Sequence, residues 1–258
     1  MTRSSSLAAL LLLATACSGT EDPPPSITEA EARAMGVPAR TTPEVATPEQ
    51  TERRARSIAR LRREGVPVLE SLPVIEPAAE CRFRTVDEIV DRAVALFVVA
   101  SRGAGDGEDY AAELAERYQT SARYSPAERA YMSGPADGPE GSALSWRFEA
   151  LRVLLWALGY LDTLPAPTEP LDGVVMAEII RPRTLEELRA GARLRSPAEV
   201  LDQADLIYRY AWACTEARIH GQPPPAGLSA DVVMEWHPAL NWLIGYQDAP
   251  WDEVPTDT

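Results

Sequence analysis

Acid–base or anion chemistry in this chain would have to come from carboxylates set beside arginines. Asp202, Asp205 and Arg209 fall on neighbouring turns of one predicted helix, with Asp205 and Arg209 as an i,i+4 pair. Exposed, such a pair contributes roughly a few tenths of a kcal/mol. Buried, it is a costly polar cluster that needs further partners. Trp146, Arg147 and Glu149, which open an apolar run, could supply them. General acid–base work needs carboxylates with separated pKa values in a cleft. Asp202, Asp205 and Glu149 are the candidates for that role, and Arg209 for binding an anion. The same residues equally make a structural clamp. The two histidines are His220 and His237. Glu216 lies one helical turn before His220, as metal ligands would, whereas Glu235 and His237 diverge on a helix. The chain has no HExxH, CxxC, Gly-rich phosphate loop or GxSxG elbow. Neither a metal site nor a cofactor is expected.

All six tryptophans lie in the second half: Trp146, Trp156, Trp212, Trp236, Trp242 and Trp251. They read either as large core aromatics or as the lining of a pocket for an apolar or sugar ligand. Two cysteines besides Cys17 remain, Cys81 and Cys214. Outside the cytoplasm they could pair, but Cys214 sits in an apolar stretch, where a buried free thiol is common.

The elements that must position these side chains are helices. Residues 85–100 carry an apolar stripe of helical period (Val86, Ile89, Val90, Ala93, Val94, Phe97), opened by a Thr85/Glu88 capping box. Gly103 to Gly107 breaks it. Further helices are predicted over 109–120 and 125–132, the second with Ser125 as cap and Pro126 in the first turn. After a loop at 134–141, residues 142–161 read as one helix, buried on most sides. Residues 171–180 suit a helix or a short strand. A short helix over 184–190 has Thr184 and Glu187 as its capping box, and Ser196-Pro197-Ala198-Glu199 opens a long one to about His220. Residues 229–245 form the last helix, and 251–258 an acidic tail. With no convincing alternating strand and no repeat, the fold class is all-α: a single multi-helix globular domain with a buried central helix.

The chain has 258 residues and a formal net charge of −14, and every basic residue is Arg. Clustered positive charge is what phosphate contacts need, so nucleic acid is not an expected partner. A basic protein would be attracted. The first residues, MTRSSSLAALLLLATAC, have a basic Arg3, an apolar run from Leu7 to Leu13 and small residues before Cys17, the pattern of a secretion signal. The apolar run is too short to span a bilayer. Cys17 after small residues is similar to a bacterial lipoprotein box. That similarity implies lipidation at Cys17 and an envelope location, at the outer membrane or periplasmic face of a two-membrane cell. Ala14-x-Ala16 also suits ordinary signal peptidase, which would release a soluble protein. The organisation is then a signal peptide over 1–16, a lipidated Cys, Pro-rich tether and polar helix over 17–65, and the helical domain over 66–258. A short helix is admissible over 27–35. The Arg-rich stretch 50–64 reads as a solvated helix of the tether.

Three blocks, WRFEALRVLLWALGYLD (146–162), LRSPAEVLDQADLIYRYAWACTEARIHG (194–221) and ALNWLIGYQDAPWDEVPTDT (239–258), closely resemble the bacterial domain-of-unknown-function 4272 family. The resemblance reaches back to about residue 66. It retains Trp146, Arg147, Glu149, Arg195, Glu199, Asp202, Asp205, Arg209, Trp212, Asn241, Trp242, Trp251 and Asp252. It departs at Ala211, where the family has His, and at Trp236-His237, where Arg precedes the His. The resemblance implies a shared polar network of Trp146, Arg147, Glu149, Arg195, Asp202, Asp205, Arg209, Trp212, His237, Asn241 and Trp242, and no established activity. The leading expectation is a lipid-anchored binding or interaction module, immunity-like if its partner is a basic protein. The alternative is a hydrolase using the Arg/Asp/Glu cluster.

Overall fold

A computed structural model describes residues 45–135 and 141–257. The signal segment, Cys17, most of the tether and the helix expected over 27–35 lie outside the described residues. Among the described residues there is no strand, and the fold is all-α.

Helix α1 (Pro48–Glu64) begins at a capping box in which Thr47 accepts from the Gln50 N–H and Gln50 answers to the Thr47 N–H. Its few apolar positions suggested solvent all round. Instead it packs along α9 (Pro197–Ile219) and buries Gln50, Arg53, Ser57, Ile58 and Leu61. The polar members of that face have partners, which is why a stripe so poor in carbon can be buried. Arg53 Nη1 donates to the Glu76 carbonyl (3.2 Å), and Gln50 Nε2 donates to the Ile75 carbonyl (2.7 Å). The extended segment 66–76 is thereby stitched to α1.

Helix α2 (Val86–Ala104) is the hub. Its Thr85/Glu88 box forms as predicted, and every residue from Arg92 to Arg102 is buried. Around it lie α3 (Glu108–Arg117), α5 (Gly141–Ser145), α6 (Arg147–Ala157), α7 (Gly173–Ile180) and α8 (Leu185–Gly191). Helix α4 (Pro126–Ser133) has the expected Ser125 cap. The central helix predicted over 142–161 breaks into α5 and α6 at Trp146, and α6 is buried from Glu149 to Ala157. The break lets α5 close against α2. A Cβ on Gly103 would lie 2.6 Å from the Gly141 carbonyl oxygen and 2.8 Å from the Ser145 nitrogen. Helix α6 ends at Gly159, which turns left-handed (φ 79°) directly over the Arg193 carbonyl.

The ambiguous stretch 171–180 resolves as helix α7, capped by Asp172. Helix α9 runs as predicted from its Ser196/Glu199 box to His220. Helix α10 (Ala230–Leu243) carries Pro238 internally, and the carbonyl this deprives belongs to Met234 on the exposed face, where water can serve it. Packing runs α1–α9–α10–α6–α2, so the core lies between α10, α6 and α2. The acidic tail is docked rather than free. The Tyr246 hydroxyl donates to Asp257 (2.5 Å), Asn241 Nδ2 to the Pro255 carbonyl (2.8 Å), and the Ala127 N–H at the start of α4 to Asp252 (2.9 Å).

Candidate functional site

Three buried arginines, Arg209, Arg92 and Arg152, and the partly exposed Arg147 each meet a carboxylate. Arg209, 2% exposed, forms a two-pronged pair with fully buried Asp205, Nε to Oδ2 at 2.9 Å and Nη2 to Oδ1 at 2.8 Å. Its Nη2 also reaches the Pro73 carbonyl at 3.4 Å. Arg92 of α2 pairs with Glu128 of α4. Arg147 and Glu235 join α6 to α10 at 2.9 Å. Arg152 lies 3.4 Å from Glu149 and stacks over the Trp236 ring at 5.0 Å. Glu149 is a hub in its own right. Its Oε2 accepts from Trp236 Nε1 (2.8 Å) and its Oε1 from the Leu171 N–H (2.5 Å). The indole of Trp236, standing where the resemblance has Arg, thus supplies a neutral donor to this carboxylate.

Burial pushes the Glu235 carboxyl above its ordinary range, against the Arg147 charge that pulls it down. Burial likewise draws the Arg92 guanidinium below its ordinary value, with Glu128 opposing.

The remaining candidates lie elsewhere. Asp202 is half-exposed and binds Arg56 at 2.6 Å, tying α9 to α1. Arg195 is a clasp on the end of α6. It donates to the carbonyls of Leu161 (2.9 Å) and Asp162 (2.8 Å) and lies over the Trp156 ring at 5.6 Å. Trp212 is buried on α9. His237 is 1% exposed, its ring 6.1 Å from that of Tyr208. Asn241 holds the tail, and Trp242 packs edge-on against Trp251 at 5.4 Å, beneath Arg84. The set therefore divides by place: Arg147 and Glu149 lie on α6, bonded to Glu235 and to Arg152 and Trp236 in turn; Asp205 pairs with Arg209 on α9; Asn241 and Trp242 lie under the tail. Glu216 and His220 pair with each other on the exposed end of α9. Cys81 and Cys214 are not joined by a disulfide, and burial pushes the Cys214 thiol up to about 11.

Two of the sequence candidates, Trp146 and Glu149, line open space. Between the C-terminal end of α2, the break at Trp146 and the N-terminal end of α7 lies a cavity of about 670 Å³. Phe97, Tyr110, Trp146 and Phe148 give it aromatic walls, with Leu171, Val174 and Ala177 beside them. Asp106, Asp172 and Arg181 stand at its exposed mouth, and Glu149 closes its inner end. Its size falls in the range of small-molecule sites, and its lining mixes these apolar side chains with Ser101, Ser145 and the four charged residues.

Sequence reasoning missed most of this lining. Phe97 was read as core, and Tyr110, Asp106 and Arg181 carry no motif. It also passed over Arg92, although a charge on the stripe of Ile89 and Leu96 signals a buried partner.

The family model for a domain of unknown function, DUF4272, matches residues 53–254. The chain belongs to the DUF4272 family. The match includes most of α1, whose packing on α9 makes it part of the same core, and it ends inside the docked tail. No curated protein and no solved structure matches the chain. Among the described residues, no group of three His, Cys, Asp or Glu could hold a metal ion, and no helix is long and apolar enough to cross a membrane.

Proposed function

We propose that this DUF4272 protein is a binding module that takes a small organic ligand in the aromatic-walled cavity between α2, α6 and α7. In this reading it is displayed at a membrane surface outside the cytoplasm by a lipid on Cys17, after removal of residues 1–16. The observation that carries the reading is the contrast between two regions. The interior acids Glu128, Glu149, Asp205 and Glu235 are each held by an arginine, whereas the cavity offers open volume behind an exposed mouth. A carboxylate committed to a guanidinium and to backbone or indole donors is a poor proton carrier, so binding is favoured over hydrolysis.

Filling the cavity tests this. Ala177→Trp, on the α7 wall, should abolish 1:1 binding of the neutral fluorophore Nile red while leaving the circular-dichroism melting curve within a few degrees of wild type. Equal dye binding by the variant would remove the cavity from the account.

A further inference from the structure

We propose that the cavity's ligand is an organic cation with an apolar body, of the aryl-alkyl ammonium class. The inference rests on the cavity being a binding site and adds the sign of the ligand's charge. Four aromatic rings line one space, and ring faces attract cations. The protein already uses this wall in that way: the Arg181 guanidinium lies 5.5 Å from the centre of the Tyr110 ring.

The charges at the mouth point the same way. Asp106 and Asp172 are exposed there, against the single cation of Arg181. Glu149 adds no net charge, because Arg152 accompanies it. The nineteen-residue helix α2 directs its C-terminal end at the cavity through Ser101 and Ala104, and that end carries partial negative charge. The opposing end of α7, where the Asp172 carboxylate accepts from the Val174 N–H at 2.9 Å, carries the matching partial positive charge, so the two helix ends offset each other and the two carboxylates against Arg181 leave the mouth negative. An anion would meet two carboxylates on entry, and a cation would meet attraction at the mouth and ring faces within.

The test uses the full-length protein in lipid nanodiscs and three matched probes read by tryptophan fluorescence: (4-phenylbutyl)trimethylammonium, its uncharged tert-butyl isostere, and 4-phenylbutanesulfonate. Ala177→Trp is the control for uptake by the lipid. The ammonium should bind about tenfold more tightly than the isostere, and the sulfonate most weakly. In D106N/D172N the preference for the ammonium should shrink to about threefold or less while isostere binding stays unchanged. Asn at 172 keeps the helix cap, so the fold is not at stake. Isostere or sulfonate binding as tight as the ammonium would overturn the cationic assignment and leave the cavity as a site. Binding of none of the three would overturn both.

Discussion

Glu149 shows how far one residue organises this interior. It is 2% exposed, yet it receives an indole N–H, a backbone N–H and a guanidinium from three different parts of the chain. Breaking a buried pair by removing one partner costs more than the pair itself contributes, because the survivor is left charged and dry. Glu149→Ala should therefore destabilise by about 3–5 kcal/mol in urea unfolding. Glu149→Gln, which keeps an acceptor for the Leu171 N–H, should lose less. Equal stability of wild type and the alanine variant would mean that Arg152 and Trp236 find water or new partners. The absence of lysine acquires a consequence here. Every buried cation is a planar guanidinium, able to bond a carboxylate along its edge and stack on a ring with its face, as Arg152 does with Glu149 and Trp236.

At the scale of elements, the helix starts were the most legible part of the sequence. The boxes Thr85/Glu88, Thr184/Glu187 and Ser196/Glu199 all form, because capping is local chemistry within four residues. The backbone N–H of Thr85 holds Glu88 below the ordinary carboxylate range, and that of Ser196 does the same for Glu199. A depressed carboxylate contributes stability above its unfolded pKa and loses it as pH falls through the lower folded value. Wild type should therefore lose stability between about pH 5 and about pH 3, and the E88Q/E199Q double variant should show a flatter acid limb in urea midpoints. What the sequence did not reveal at this scale was contact between elements. Nothing local in 142–161 marks the break at Trp146, which goes with the close approach of α5 to Gly103 on another helix. Gly103→Ala puts a methyl against backbone atoms that cannot rotate away, so a loss of about 1–3 kcal/mol is expected in thermal or urea unfolding.

At the scale of the molecule, the all-α class and the buried α6 followed from periodicity alone, because apolar patterning is summed over many residues. The polar network did not follow. Its members came from the family resemblance, which carries no spatial information, and the structure distributes them among α6, α9 and the docked tail. The segments whose placement the sequence left unread, α1 and the residues after Trp251, are those whose burial depends on distant partners. Arg53 needs the Glu76 carbonyl, and Asp252 needs the start of α4. The cavity is legible only in three dimensions, since its walls come from three separate stretches of chain, 97–110, 145–149 and 170–181. Together these features describe a body whose interior charges hold helices together, beside an aromatic-lined cavity that stays open among the described residues. The most direct test is native mass spectrometry of the full-length protein released from detergent-solubilised native membranes, beside Ala177→Trp. The account predicts a small molecule bound at one per chain on the wild type and absent from the variant. An empty wild-type protein carrying a stoichiometric protein partner instead would contradict it.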